Sequence, residues 1–473
     1  MIFGPVAPDK AKSGNDGILT RCEGVYPLED GYRPVGQFVT TYAALPAVCK
    51  GAASFVNSDG KTTIIAGTAT ELFKAASNAW TSLATGFSIQ GDKRWRFAQF
   101  GSLAIATNGA DAMRKIDLGT ATVSLLGGSP PTTEILAVVG DFLVGGIYNG
   151  DVMTLVWSGQ QNAEFWTPGQ RLSDYATLPT GGRINGILSG EYGIILQRDR
   201  ICRMDYVGGN GIFEINEVSS NIGCVTVHSV AQWGAIGFFY SDEGFMMWNG
   251  APVPIGRELV DRDFASRYNS SSWGSMSTAV DPVNSVVMWA MADRIYCYNW
   301  VLQRWTIIPI ASSIVFSGVT KGVTLDEQDP AFGAADDNLD GGGLPSFDNA
   351  VYTGGDPQLY LFNSTHMLGT LSGTPMLATF TGNELELFRG RRACLRTARP
   401  DCDAIAGLTI SFAARQRLGD TATATSFTTL TTSGDMPLRA SGRYLRPTLA
   451  IGAGVSWNYA RGVDFVGSPG AGR

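Results

Sequence analysis

Short apolar segments separated by Gly, Asp and Asn turns recur along the chain from Pro46 to about Ser372. In each unit an apolar strand, a turn, a second apolar strand, another turn and an aromatic-rich strand follow one another. The repeat length of about 39 to 50 residues is typical of propeller blades. We therefore predict an all-β fold in which residues 46–372 form a β-propeller of six or seven blades. The middle strands are centred near Ile65, Ile105, Val144, Ile194, Phe238 and Val287.

Two aromatic pairs favour a propeller over a sandwich of stacked hairpins, which is the alternative interpretation of the same strands. Phe73 is followed seven residues later by Trp80, and Tyr298 is followed seven residues later by Trp305. An aromatic residue on a third strand and a Trp opening the fourth can fill the space between adjacent blades. Because a single blade exposes two apolar faces, stacking around an axis is what buries them.

The remaining segments differ from the repeats in composition. Residues 321–357 are acidic and Gly-rich, which predicts a long loop or insertion. Alternating strands across 373–466 predict a compact antiparallel β-sandwich, followed by a flexible tail at 467–473. Residues 1–45 are predicted to form an extended N-terminal arm. Helical periodicity is limited to Arg257–Tyr268, where we expect one short helix.

The composition excludes several classes of protein. Aromatic residues make up 10% of the chain, so most of it has the apolar content that disordered chains lack. The longest uncharged stretch is interrupted by polar residues, and we expect neither a membrane span nor a membrane partner. Seven cysteines without CxxC spacing are interpreted as mostly buried free thiols of a protein made in a reducing cytoplasm.

The charge is low and unevenly distributed. Charged residues make up 16% of the chain and the net charge is −7, which argues against a general nucleic-acid binder. Arginine greatly outnumbers lysine, and arginine suits fixed bidentate contacts at interfaces. Residues 385–473 hold twelve arginines against six acidic residues. We predict a contact with an acidic neighbouring subunit or another protein, rather than a nucleic-acid site, at Arg389, Arg391, Arg392, Arg396 and Arg399.

No motif in the sequence predicts a catalytic, cofactor-binding or metal-binding residue. Asp336–Gly341 matches the first half of a calcium loop, but Phe347 stands where the bidentate Glu belongs, so a solvated acidic turn is expected. Ser241–Trp248 is similar to the aspartate-box hairpin of sialidase-like propellers, with altered spacing, and predicts a turn. His228 and His366 have no neighbouring ligand at metal spacing and are expected to be structural.

Four segments together resemble the tail nozzle proteins of short-tailed bacteriophages, also called tail hub or head-to-tail stabilisation proteins. They are residues 150–208, 237–264, 388–400 and 441–465, and the match runs in order over most of the chain. The resemblance implies a propeller with an attached β-sandwich. It also implies a structural virion protein without enzymatic activity, made and assembled in the host cytoplasm.

In that family the chains assemble as a ring, usually a homo-hexamer, beneath the portal and its adaptor. The ring extends the DNA channel, retains the packaged genome and seats a plug, needle or fibre, and DNA passes through the lumen without specific binding. A net-acidic body suits such a conduit, because each neutralised phosphate would add affinity and friction. The alternative is a propeller tail protein that binds, and in one version cleaves, glycans on a receptor. That alternative predicts convergent carboxylates and exposed aromatic residues in a cleft.

Overall fold

The computed structural model describes residues 1–10, 17–76, 78–321, 354–425 and 428–470. Nearly all regular structure in this part of the chain is β-strand, which confirms the predicted all-β fold. The single α-helix there, α1, covers Asp261–Arg267, inside the segment predicted to be helical. No helix of the described residues has the length and apolarity needed to cross a membrane. Short 3-10 helices cover Gly209–Gly211, Val227–Ser229 and Ser270–Ser275.

Four strands lie in the N-terminal segment that was predicted to be an extended arm. These strands are hydrogen-bonded into sheets that are built mainly from distant parts of the chain. Three of them join sandwich sheets and the fourth joins the propeller. These strands are β1 (Leu19–Glu23), β2 (Val25–Leu28), β3 (Gly31–Pro34) and β4 (Val39–Ala44).

Six blades follow one another as antiparallel four-stranded units. All six predicted middle strands are the second strands of these blades, where both faces are covered and apolar runs are favoured. The first strand of each blade is called its inner strand below. The blades comprise β5 (Gly51–Val56), β6 (Thr62–Gly67), β7 (Glu71–Ala76) and β8 (Ala79–Thr85); β9 (Arg96–Phe100), β10 (Leu103–Thr107), β11 (Arg114–Asp117) and β12 (Val123–Leu125); β13 (Ile135–Val139), β14 (Phe142–Tyr148), β15 (Asp151–Trp157) and β16 (Asp174–Thr177); β17 (Ile184–Leu188), β18 (Gly193–Gln197), β19 (Arg200–Gly208) and β20 (Ile212–Ser220); β21 (Ala231–Trp233), β22 (Ile236–Ser241), β23 (Gly244–Trp248) and β24 (Pro252–Pro254); and β25 (Ser277–Asp281), β26 (Val286–Ala290), β27 (Ile295–Asn299) and β28 (Arg304–Ile308).

The seventh blade combines the two ends of the propeller sequence. Its inner strand β29 (Ser312–Lys321) pairs with β30 (Gly354–Asn363), which pairs with β31 (Met367–Thr370). The outer position is taken by β4, whose Ala44 lies opposite Met367. The propeller therefore has seven blades, and most of the predicted 321–357 insertion falls between the first two strands of the last blade. Residues 322–353 lie outside the described part of the chain.

Side-chain hydrogen bonds join every blade to the next, so the ring is continuous. Between blades seven and one, for example, the Val319 amide donates to Ser54 Oγ at 3.4 Å. Such bonds fix the relative position of neighbouring inner strands, which share few main-chain bonds. The junctions, in ring order from blades one and two, are Gln99–Val56, Thr107–Thr133, Val138–Ser189, Ser189–Gln232, Thr278–His228, Val280–Ser317 and Val319–Ser54.

The predicted aromatic pairs do fill spaces between blades. Trp80 of blade one has its ring centroid 5.9 Å from that of Phe362 in blade seven, and its Nε1–H donates to the Ala43 carbonyl at 2.7 Å. Trp305 of blade six lies 5.0 Å from Phe245 of blade five. Its Nε1–H donates to a blade-five carbonyl at 2.8 Å. The prediction is confirmed for both tryptophans.

The β-sandwich contains two sheets and uses residues from both ends of the chain. One sheet has the order β2-β3-β39-β33-β37, and the other contains β1-β32-β38-β34-β35, with β36 paired to β34. Strict alternation along Tyr444–Ile451 buries one face and leaves the other half-buried, as expected for a sandwich strand. The C-terminal strands are β32 (Ala378–Gly382), β33 (Ala393–Cys402), β34 (Leu408–Arg415), β35 (Thr423–Ala424), β36 (Thr428–Thr429), β37 (Met436–Gly442), β38 (Tyr444–Ile451) and β39 (Ala460–Pro469).

The sandwich and propeller are joined through one continuous sheet. Strand β1 pairs in parallel with β28 of blade six and antiparallel with β32 of the sandwich. Side chains of both units pack in one apolar cluster, which includes Trp289 of blade six and Phe380 of the sandwich. Residues 467–469, predicted to begin the flexible tail, belong to β39 because they pair with β33.

The contact between blades one and two gives a test of the packing. A Cβ on Gly67 would lie 2.1 Å from Trp95 Cδ1, and the indole is held by a 2.8 Å hydrogen bond from its Nε1 to the Thr68 carbonyl. We expect Gly67→Ala to destabilise the protein by about 1–3 kcal/mol, because the ring cannot move without breaking that bond. Gly419→Ala is the control, since its Cβ would meet no atom within 4 Å. Urea denaturation monitored by Trp fluorescence measures both, and equal midpoints would contradict the packing described.

Candidate functional site

The five predicted interface arginines are all exposed on the sandwich. Three of them precede β33, and the other two lie on that strand. Leu395 and Ala398 of β33 point into the core, so Arg396 and Arg399 project outward. The strand rise of about 3.3 Å per residue places Arg396 and Arg399 about 10 Å apart. Together with the three arginines before the strand they form a cluster, called the arginine row below, to which the fold adds the exposed Arg439 of the neighbouring strand β37.

Arg399 of the row forms an intramolecular ion pair. The Arg399 guanidinium donates to Asp435 Oδ1 at 2.9 Å, yet its side chain is still 64% exposed. An exposed pair of this kind contributes only about 0–1 kcal/mol to stability. The geometry therefore leaves this arginine open to a contact with another molecule.

Other sequence motifs occupy structural positions. Ser241–Trp248 forms the tight turn between β22 and β23 that was predicted. The calcium-like motif Asp336–Gly341 lies outside the described residues. Within the described ranges, no group of three or more His, Cys, Asp and Glu side chains is arranged to hold a metal ion. All seven cysteines are free thiols, five buried and two half-buried, which confirms that prediction.

A second group of polar residues, absent from the sequence predictions, lies on the propeller axis. Inner strands surround the axis of a propeller, and here all seven contribute residues where they begin. This region, called the axial mouth below, contains two adjoining cavities of about 410 and 460 Å³ that share Asp92, Arg94 and Gly274. From blade one to blade seven, its residues include Lys50, Arg96, Glu134, Arg183, His228, Gly274 and Ser312.

Local sequence explains how blade two presents two arginines here. In Arg94-Trp95-Arg96 the Trp is buried between blades one and two, where its ring meets Phe87 edge-on at 4.8 Å. Alternation in an extended chain sends the flanking side chains to the opposite side. Burial of the tryptophan thus directs both arginines toward the axis.

Both arginines reach segments on the far side of the ring. Arg94 donates from Nη1 to the Met276 carbonyl and from Nη2 to the Gly274 carbonyl, each at 2.7 Å. Arg96 Nη2 donates to the Val227 carbonyl at 2.9 Å and to His228 Nδ1 at 3.0 Å. Burial lowers the pKa of each guanidinium to about 10, so both stay charged at neutral pH. The arginines of blade two therefore bridge the axis to the segments that lead into blades five and six.

The imidazole of His228 is neutral in this arrangement. Because a guanidinium can only donate, Nδ1 must accept, and the proton resides on Nε2. Burial, followed by the charges of Arg94 and Arg96, lowers the pKa of His228 to about 2. His228 thus orients Arg96, which agrees with the structural role expected from the sequence.

The two acidic residues of the first cavity do not form a free catalytic pair. Glu134 Oε1 lies 3.4 Å from Lys93 Nζ, and its other carboxylate oxygen accepts from Arg183. Asp92 packs against Gly274, where an added Cβ would lie 2.3 Å from the carboxylate. Glu134 is therefore engaged as the partner of two cations, while Asp92 is close-packed against the main chain.

Comparison with known proteins identifies no family. No family profile matches the sequence, and no curated protein matches it. Solved structures with a similar fold include the extracellular domain of a putative one component system, BT4673, from B. thetaiotaomicron, with TM-score 0.44 and 12% identity over 72% of this chain and 40% of that one. BamB from Moraxella catarrhalis has TM-score 0.37 and 9% identity over 73% of this chain and 92% of its own. The Neurospora crassa Pan2 WD40 domain has TM-score 0.38 and 8% identity over 72% and 97%. At these identities the likeness is one of fold alone.

The buried histidine gives a prediction for pH dependence. His228 must gain a proton on unfolding below its ordinary pKa of 6.5, so stability should fall as pH drops below that value, by at most about 1.4 kcal/mol per pH unit. In the folded protein its NMR ring signals should stay constant between pH 5 and 8. The chain has only two histidines, so a His366→Gln variant leaves one set of signals to follow. A titration midpoint near pH 6 would contradict the buried, neutral state.

Proposed function

We propose that this chain is a structural protein of a bacteriophage tail, a nozzle or hub subunit that assembles into a ring and extends the DNA channel. The proposal rests on the resemblance of four sequence segments to that family. The observation that supports it in the structure is the exposure of all five clustered arginines on β33 of the sandwich and in the segment just before it. A row of solvent-exposed guanidinium groups on an acidic protein favours docking against a carboxylate-rich neighbour.

In this proposal the sandwich row contacts an acidic surface of the next subunit or of the adaptor. Guanidinium groups bind carboxylates through two parallel hydrogen bonds, which sets orientation as well as affinity. Exposed apolar residues near the same unit, including Ile405 at 90% and Val466 at 57% exposure, would become buried on assembly. A closed hexamer beneath a portal and adaptor, with a plug, needle or fibre attached, follows the family pattern and is part of the proposal.

The channel of such a ring would lie between subunits rather than along the axis of each propeller. Arg94 and Arg96 cross that axis, and the cavities at its mouth hold about 410 and 460 Å³. Duplex DNA, with a major groove alone about 12 Å wide, needs a far larger opening. The propeller therefore serves as a wall element of the ring.

The axial mouth favours a second candidate, a tail protein that binds glycans. Asp92, Glu134 and Trp273 line one cavity, which is the combination of acids and an aromatic residue expected of that alternative. Glu134 is held by two cations, which favours binding over acid catalysis. Incubation with a panel of bacterial surface polysaccharides, followed by analysis of binding and of released sugars, tests this candidate directly.

Electron microscopy of the purified protein tests the nozzle proposal. We expect closed rings with an axial opening of roughly 20 Å or more between subunits, wide enough for B-DNA given its groove dimensions. A protein that stays monomeric at high concentration, alone and with the neighbouring tail proteins, would contradict the proposal.

Charge reversal tests the arginine row separately. Arg391→Glu with Arg392→Glu should abolish or strongly reduce ring assembly, while thermal unfolding of the monomer changes little, because both side chains are exposed. Lys61→Glu with Arg262→Glu is the control, since it reverses two exposed charges on the propeller. Equal assembly of both double variants, measured by sedimentation velocity, would rule out the row as the contact.

A further inference from the structure

The axial mouth concentrates positive charge in a protein that is negative overall. Lys50, Lys93, Arg94, Arg96 and Arg183 line its two cavities, whereas the carboxylates there are those of Asp92 and Glu134. Glu134 is paired with Lys93 and Arg183. The local excess of cations therefore centres on the two arginines of blade two.

Arg94 and Arg96 are half-buried charges whose hydrogen-bond partners are neutral. Their acceptors are the main-chain carbonyls of three residues and the neutral imidazole of His228. Neither arginine forms a salt bridge within the described part of the chain. A partly buried cation that forms no ion pair loses hydration without full compensation. Each guanidinium uses two of its five N–H donors in these bonds, so the other donors are open to a ligand.

Two unpartnered polar groups of the same region point independently to a ligand with acceptor atoms. Trp273 lines the first cavity, and its buried Nε1–H, which can only donate, has no hydrogen-bond partner among the described residues. Ser312 lines the adjoining cavity, is 7% exposed, and its Oγ likewise has no partner in the described part of the chain. Arg94 lines both cavities.

We propose that the axial mouth binds a compact, multiply charged oxyanion, either a phosphate ester or a dicarboxylate, at Arg94 and Arg96, with Trp273 donating a further hydrogen bond. Phosphate and carboxylate groups share the oxygen geometry that guanidinium forks bind bidentately. The cavity of about 410 Å³ is in the lower range for small-ligand sites, so the ligand is a small molecule or a single anionic group. The site does not depend on ring assembly and stands or falls separately from the nozzle proposal.

Calorimetric titration of the full chain with inorganic phosphate and with succinate, in a low-salt chloride buffer, tests the site. We expect saturable 1:1 binding of at least one probe, with the preferred probe identifying the ligand as phosphate-like or carboxylate-like. Arg96→Gln should weaken binding by about 10- to 100-fold, the effect of losing charged hydrogen bonds. Arg417→Gln, at an exposed sandwich residue outside both the axial mouth and the arginine row, should bind as the unaltered protein does.

Trp273→Phe keeps the proposal testable if Arg96→Gln fails to fold. It removes an Nε1–H donor that has no partner among the described residues and keeps an aromatic ring to pack against Tyr240. The fold should therefore persist while affinity drops by roughly 10-fold. Three results would overturn the proposal. The first is no saturable binding of either probe up to about 10 mM, a concentration well above the dissociation constants of specific small-ligand sites. The second is unchanged affinity in a folded Arg96→Gln variant. The third is unchanged affinity in Trp273→Phe.

Discussion

The propeller depends on main-chain pairing between β4 and β31, which joins residues 39–44 to residues 367–370. Each blade has two apolar faces, and these are covered only when blades stand on both sides. Without β4 the seventh blade would lose its outer strand, and Trp80 of blade one would lose the contacts with Tyr42 and Ala43. Closure of the ring therefore stabilises all seven blades together.

The same N-terminal segment fixes the sandwich against the ring. Strand β1 completes a sheet that runs from blade six into the sandwich, and β2 and β3 extend the opposite sheet. Glu23 at this junction is buried and forms ion pairs with Arg21 at 2.6 Å and Arg294 at 3.8 Å. Since Arg294 belongs to blade six, the Glu23–Arg294 ion pair connects the sandwich to the propeller in addition to the main-chain hydrogen bonds. The sandwich row is thereby held in a fixed orientation relative to the propeller.

Arginine serves two different purposes in this molecule. On the sandwich the side chains are exposed on β33 and in the segment just before it, a geometry suited to a partner surface. On the axis Arg94 and Arg96 are half-buried and bridge opposite sides of the closed ring. Both guanidinium groups remain protonated at neutral pH despite burial, which makes arginine better suited than lysine to the axial position.

The sequence by itself determined the strands of six blades, the two Trp wedges, the short helix and the exposed arginine row. These features depend on local patterns, since apolar runs, turn residues and aromatic spacing act over tens of residues at most. Only the tertiary structure decided that β1–β4 enter sheets built mainly from distant parts of the chain, that a seventh blade exists, and that Arg94 and Arg96 meet His228 on the axis. The short sequence of an edge strand does not specify which strand it will pair with. The axial mouth forms only when the seven inner strands converge on the axis. The Arg-Trp-Arg alternation is the local sequence feature that places two arginines at this site. It does so only because the closed ring buries Trp95 between two blades, which directs the flanking arginines toward the axis.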